Sequence, residues 1–161
     1  MKIRTKLTAQ YTMLTAVIFL MTMISIYIFS EHSRSEGFYR NLKREAVTKA
    51  HLFLSGKVGP SSMQSVYDNN KNFIDEVEVA IYEQPFTILY HDEIQSDIVK
   101  ETSSMIQDIV DRRSIEFNEG HYQAIGMIYT FGGKDYIVTA AAYDGFGYAN
   151  LHALRNILLI F

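Results

Sequence analysis

The sequence predicts an α+β protein in which a membrane-crossing helix leads into a domain built on an antiparallel sheet. Two observations predict this class. The segment from Leu7 to Ser30 has no charged residue. Beyond it, apolar residues recur every 3.6 residues in some segments, as in helices, and every two residues in others, as in strands. We expect the helices of the outer domain to pack on one side of the sheet.

Residues 7–30 are the predicted membrane-spanning helix. At 1.5 Å per residue they extend about 36 Å, against about 30 Å for a hydrocarbon core. Its threonine hydroxyls can bond to carbonyls one turn earlier. The basic residues Lys2, Arg4 and Lys6 make residues 1–6 a cytoplasmic tail and place the rest of the chain outside. A cleaved signal peptide is the alternative, but the apolar segment is long for one and residues 27–31 offer no small-x-small cleavage site.

The helix is predicted to continue out of the membrane through residues 31–57. An apolar stripe recurs every three to four positions, at Phe38, Leu42, Ala46, Ala50 and Phe53 or Leu54. This stripe can pack on the core of the domain, and an uninterrupted helix can also transmit motion. Glycines and a proline at 56, 59 and 60 end it. A short helix with a capping box at positions 61 and 64 follows.

The rest of the outer domain, residues up to 150, is predicted as strands with one helix. The expected elements are a hairpin of strands 77–82 and 86–91, a helix over 97–113, a short strand at 115–117, and a long hairpin of strands 122–131 and 134–143. The long hairpin turns at Gly132-Gly133, where two glycines permit the positive backbone angles of a tight primed turn.

Composition excludes several function classes. Removing the three cytoplasmic cations leaves 12 Lys and Arg against 18 Asp and Glu, so the outer domain has a net charge near −6, which argues against nucleic acid as a partner. The chain has no cysteine, which excludes disulfides, thiolate metal sites and cysteine catalysis. There is no nucleophile elbow and no paired metal-ligand spacing, so we expect no catalytic residue and no cofactor or metal in this segment.

The order of elements resembles the extracytoplasmic PAS-like sensor domains of bacterial receptors. In these a membrane-proximal helix leads into a five-stranded antiparallel sheet that holds the ligand on one face. The sequence is also similar to the amino-terminal half of membrane-bound two-component sensor histidine kinases, through residues 1–7, 38–54, 77–90 and 136–145. The resemblance implies a bacterial inner-membrane homodimer that receives a small-molecule or protein signal outside the cytoplasm.

The kinase half implied by this resemblance is not in the sequence. None of the five histidines has the phosphoacceptor context, and no ATP-binding domain is present. ATP and Mg²⁺, and a response regulator as partner, are therefore expected only for the missing kinase part. Residues 151–161 become fully apolar from Ile157, and we expect them to begin a second span. A short carboxyl-terminal helix packed on the domain is the alternative.

Other outputs and other classes are also compatible with this sequence. The same outer module can serve a chemotaxis transducer or a cyclic-dinucleotide enzyme. A membrane-tethered binding protein without a signalling half is a further alternative. The residues that follow the second span would distinguish these possibilities.

Six residues are candidates for ligand binding: Tyr82, Tyr90, His91, Tyr129, Tyr143 and Asp144. Tyrosine offers a stacking surface and a hydrogen-bonding tip, although β propensity alone also explains tyrosines in strands. In PAS-like sensors that bind amines, an acid near the end of the last strand holds the ammonium group, and Asp144 matches by order. The run of residues 91–93, His-Asp-Glu, could bind a cation, but a solvated turn is the favoured interpretation.

Overall fold

The computed structural model describes residues 2–57, 59, 62, 65, 77–92 and 97–160. Its elements in chain order are α1 (Lys2–Leu54), β1 (Val77–Glu83), β2 (Thr87–His91), α2 (Ser103–Arg112), β3 (Ser114–Glu119), β4 (Tyr122–Phe131), β5 (Lys134–Ala142) and α3 (Gly145–Ile160). They divide into a helical unit, up to Glu36 and from Phe146 onward, and a sheet unit, Gly37–Gly145. The predicted α+β class is confirmed. The short helix predicted after residue 60 lies outside the described residues.

The helical unit contains the apolar part of α1. Among the described residues α1 is the one helix long and apolar enough to cross a membrane, and none of its most apolar 18-residue window is buried by protein. The hydroxyls of Thr8, Thr15 and Thr22 donate to carbonyl oxygens four residues earlier at 2.9–3.0 Å. This bonding, predicted from the sequence, satisfies the hydroxyls without water.

Helix α3 also belongs to the helical unit. Its 16 residues extend about 24 Å, which is shorter than the about 30 Å of a hydrocarbon core. Ile157, Leu159 and Ile160 near its end are more than half exposed, whereas Leu151 is buried. That α3 begins a second span stays a prediction.

The sheet unit is built on five antiparallel strands in the order β2-β1-β5-β4-β3. The β4–β5 hairpin closes with Phe131 opposite Lys134, and the two glycines between them have φ of +58° and +80°. Positive φ at both central positions is the requirement of a primed turn, so the predicted hairpin is confirmed. Strand β2 begins at Thr87 and β3 extends over six residues, close to the predicted bounds.

The carboxyl-terminal part of α1 packs on one face of the sheet. Its buried residues Leu42, Ala46 and Ala50 form a core with side chains of four strands. These are Val79, Ile81, Tyr90, Ile125, Met127, Val138, Ala140 and Ala142. The predicted apolar stripe is thus confirmed. The helix ends at Leu54, two residues before Gly56, whose φ is +66°.

The opposite face of the sheet is covered by α2. Ile106 and Ile109 of this helix pack with Ala80, Tyr82 and Ile137. The prediction that the helices pack on one side is therefore wrong. Successive side chains of a strand point to opposite faces, and the five central residues of β1 are all buried, so both faces require a cover.

Helix α2 is shorter than the predicted 97–113. It begins at Ser103, after Thr102, whose extended backbone and side-chain oxygen cap it by accepting a hydrogen bond from the Met105 amide. The residues before it are not helical because the amides of Ile98 and Val99 donate to the carboxylate of Glu78. The Glu78 side chain, which lies outside this segment, thus competes with helical backbone hydrogen bonding within it.

Candidate functional site

The six predicted ligand residues do not come together. Tyr90 and Tyr129 lie on the face covered by α1, and Tyr82 and His91 belong to the opposite face. The remaining two, Tyr143 and Asp144, follow β5. The structure therefore divides the predicted site into three places, each with its own chemistry.

The tyrosines on the α1 face join that helix to the sheet. The Tyr90 hydroxyl donates a hydrogen bond to Asp92, and its ring lies 5.2 Å, between centroids, from that of Phe53. The Tyr129 hydroxyl is 2.9 Å from Nδ1 of His51. Both rings contact residues of α1, so packing accounts for them without a ligand.

Asp92, the residue after β2, is a buried carboxylate on the α1 side. Its Oδ2 accepts from Lys49 Nζ at 2.8 Å and from the Val79 amide at 2.9 Å. Lys49 also donates to the Val77 carbonyl at 3.1 Å. The favoured interpretation of residues 91–93 as a solvated turn is thus wrong for Asp92, which is buried and pairs with an ammonium group, and Glu93 lies outside the described residues. A buried charge needs such partners because desolvation is costly.

A different carboxylate lies with His91 on the α2 side. Glu78 of β1 is 2% exposed, and its two oxygens accept from the amides of Ile98, at 2.6 Å, and Val99, at 3.1 Å. Burial raises the pKa of Glu78, while the two amides and the His91 charge act in the opposite direction. The two backbone bonds fix the orientation of this carboxylate.

Three potential ligand atoms meet at this place. His91 Nε2 is 3.6 Å from Glu78 Oε1 and 3.9 Å from Asp97 Oδ1, and ligand atoms of the three side chains all lie within 4.8 Å of one another. Nε2 itself is buried and has no hydrogen-bond partner among the described residues. We call Glu78, His91 and Asp97 the carboxylate–histidine cluster.

A second polar group on this face surrounds Glu101, which lies between the cluster and α2 in the chain. Its carboxylate accepts from the Thr139 hydroxyl at 2.5 Å and is hydrogen bonded to Tyr82. Burial, together with the charge of Glu101, raises the pKa of Tyr82 far above its usual range. Tyr82 therefore stays protonated and acts as a donor.

The two residues after β5 remain as predicted candidates. Tyr143 is half exposed, and its ring meets that of Tyr122 edge-on at 6.2 Å between centroids. Asp144 is buried. That Asp144 holds an ammonium group stays a prediction.

Sequence reasoning missed four polar residues of these sites: Lys49, Glu78, Asp97 and Glu101. Glu78 alternates with valines and an isoleucine in β1, a pattern typical of a strand with one solvent-facing side. In the structure both faces of β1 are buried, so Glu78 does not face solvent. A signal for Lys49 was its place three residues after Ala46 on the buried stripe of α1.

Comparisons with protein-family models, with curated proteins and with solved structures found no match to this chain.

Proposed function

We propose that this chain is the signal-sensing input region of a membrane-bound two-component sensor histidine kinase, anchored in the bacterial inner membrane. The observation that carries this proposal is the continuity of α1. One helix contains both the apolar segment from Leu7 to Ser30 and the stripe at Leu42, Ala46 and Ala50 that is buried on the sheet. A binding domain and an anchor that share one helix have a direct means of communication.

The sheet unit gives further support. A five-stranded antiparallel sheet entered from a long amino-terminal helix is the architecture of the PAS-like sensor domains that the sequence resembles. The basic residues before the span favour an extracytoplasmic position for the sheet unit. The outer side of a membrane is where a receptor meets its signal.

In this proposal a ligand acts by favouring one of two arrangements of the sensor. The favoured arrangement then shifts α1 and a second span of one subunit relative to those of the other subunit in a homodimer. The kinase that responds to this shift belongs to a following part of the protein in this proposal. ATP, Mg²⁺ and a response regulator would act on that part.

The reading frame beyond the codon for Phe161 tests the proposal. A sensor kinase requires a helix with a phosphoacceptor histidine and an ATP-binding domain with asparagine and glycine-rich boxes. A methyl-accepting signalling helix or a cyclic-dinucleotide domain would contradict the proposed output and support the corresponding alternative. A stop codon at that point would support the membrane-tethered binding protein.

A kinase reading frame leads to a biochemical test. The full-length protein in lipid nanodiscs should autophosphorylate with ATP, and deletion of residues 37–145 should change the rate. An unchanged rate would show that the sheet unit provides no input. Substitution of the phosphoacceptor histidine is the control that must abolish the signal.

A further inference from the structure

We infer that the carboxylate–histidine cluster, Glu78, His91 and Asp97, binds a divalent transition-metal ion of the Zn²⁺ type. The cluster would supply three ligands and leave a coordination position for water or another molecule. This site is independent of any kinase output, because its occupancy can be measured on the chain itself.

The distances are close to those that a metal ion requires. Zn²⁺ binds nitrogen and oxygen ligands at about 2.1 Å, so ligand atoms in a tetrahedral site are roughly 3.4 Å apart. The observed separations from His91 Nε2 are 3.6 Å to Glu78 and 3.9 Å to Asp97. These two distances are within about half an ångström of that value, and all three ligand atoms lie within 4.8 Å of one another, so side-chain movements would bring them around one ion.

The state of His91 Nε2 is the second observation. This nitrogen is buried and lacks a hydrogen-bond partner among the described residues, an arrangement that costs free energy unless something binds there. The two carboxylates nearby lie beyond hydrogen-bonding distance of it. A metal ion would accept the nitrogen lone pair and neutralise both carboxylates.

The remaining features suit a site that exchanges its ion. The amides of Ile98 and Val99 hold the Glu78 carboxylate in place, as outer-shell hydrogen bonds do in metal sites. The Asp97 side chain is 48% exposed, which gives an ion a path from solvent. Three protein ligands with an open position are typical of zinc sites that bind a further molecule.

The chemistry of the donors selects the class of ion. Imidazole suits Zn²⁺, Cu²⁺ and Ni²⁺, whereas Mg²⁺ and Ca²⁺ take oxygen ligands and usually six or more of them. We therefore expect Zn²⁺ to bind and Mg²⁺ and Ca²⁺ to bind much more weakly. Because the chain has no cysteine, thiolates cannot compete for the ion.

The test is calorimetric titration of ZnCl₂ into the full metal-free chain in detergent micelles. We expect saturable binding of one ion per chain at this site. Asp97→Asn, a nearly isosteric change at a half-exposed side chain, and His91→Ala should each weaken binding roughly tenfold or more. Co²⁺ should bind in the same place, with a visible absorption spectrum that His91→Ala alters.

The matched control is His32→Ala. His32 Nε2 lies 3.1 Å from Glu36 Oε1 on the exposed surface of α1, so this pair is a second possible zinc ligand set. We expect the control to leave the affinity within about twofold, because two exposed ligands bind zinc weakly. Near-UV circular dichroism of Asp97→Asn establishes that the variant is folded.

Three results would overturn the inference. They are the absence of saturable Zn²⁺ binding, unchanged affinity in folded Asp97→Asn, and loss of binding in His32→Ala alone. In each of them Glu78, His91 and Asp97 are polar neighbours that do not form a metal site. None bears on whether a kinase follows in the reading frame.

Discussion

At the residue scale, Asp92 connects three parts of the sheet unit. Its carboxylate accepts from Lys49 of α1, from the amide of Val79 in β1 and from the Tyr90 hydroxyl of β2. Such a buried charge contributes to stability only while its partners remain. Removal of one partner is therefore more costly than the strength of a single hydrogen bond.

Lys49→Met should lower the free energy of unfolding by about 3 kcal/mol, because it leaves the buried Asp92 carboxylate without its counter-charge. The change keeps most of the side-chain length and removes the ammonium group. The measurement is denaturant unfolding of the chain in detergent, followed by the near-UV circular dichroism of its tyrosines.

Lys134→Met is the matched control for this measurement. Lys134 pairs with Glu83 at 3.7 Å on the surface, with its side chain 71% exposed, and such pairs contribute about 0.5 kcal/mol or less. Equal effects of the two substitutions would mean that burial of the Lys49–Asp92 pair has no special role.

Gly126→Ala should destabilise the sheet unit by about 1–3 kcal/mol through overpacking. A Cβ at this position would lie 2.4 Å from Cδ1 and 2.7 Å from Cγ1 of the fully buried Ile109. The double variant with Ile109→Val removes the nearer contact, so its loss should be smaller than the sum of the two single losses. An additive double-mutant cycle would contradict this contact.

Single residues of the site were only partly predictable from sequence. Tyrosines and His91 stand out by their chemistry, and both Tyr82 and His91 do lie on the face that carries the carboxylate–histidine cluster. The partners of His91, Glu78 and Asp97, were not predicted. The contact with Glu78 depends on the register of β1 with β2, and Asp97 lies outside both strands. A one-residue shift of register would reverse every side chain.

At the scale of elements, periodicity predicted the strands well because their apolar residues are dense and their turns are marked by glycine or proline. It predicted the stripe of α1 for the same reason. It failed at the beginning of α2. Residues 97–101 carry an apolar pattern compatible with a helix, but the amides of Ile98 and Val99 bind a carboxylate 20 and 21 residues away.

The position of α1 sharpens the prediction of a dimer. If this helix pairs with its copy, cysteines at the exposed Arg44 and Thr48 should form disulfides across the dimer in native membranes. Cysteines at the buried Ala46 and Ala50 should not, because the sheet covers them. The measurement is non-reducing electrophoresis, and the chain has no native cysteine to interfere.

Cross-links at Ala46 and Ala50 that equal those at Arg44 and Thr48 would contradict the packing of α1 on the sheet. Absence of cross-links at all exposed positions of this helix segment would contradict a dimer through α1.

At the scale of the whole molecule, the orientation of the chain is open to a direct test. Lys134→Cys in the β4–β5 hairpin should react with a membrane-impermeant maleimide in intact cells, since Lys134 is exposed and the sheet unit is expected outside the cytoplasm. Arg4→Cys should react only after the membrane is permeabilised. The opposite pattern would reverse the proposed topology.

The class of the fold could be predicted from the sequence, but the arrangement of its layers could not. Length and charge distribution indicated a span, and alternation indicated an antiparallel sheet. The alternation of polar and apolar residues in β1 also suggested that one face of the sheet is exposed to solvent, whereas α2 and the loop before it cover that face. Which faces are covered depends on contacts between distant segments, for which a local pattern contains no signal.

The end of β2 places neighbouring residues on two different faces. His91 belongs to the carboxylate–histidine cluster on the α2 side, and the next residue, Asp92, is bound to Lys49 of α1. Their Cα atoms are separated by a single peptide unit, about 3.8 Å. A displacement of the His91 backbone would therefore be passed directly to Asp92 and to its ion pair with Lys49. The carboxylate–histidine cluster on one side of the sheet and the Asp92–Lys49 pair on the other are thus joined by a single peptide unit.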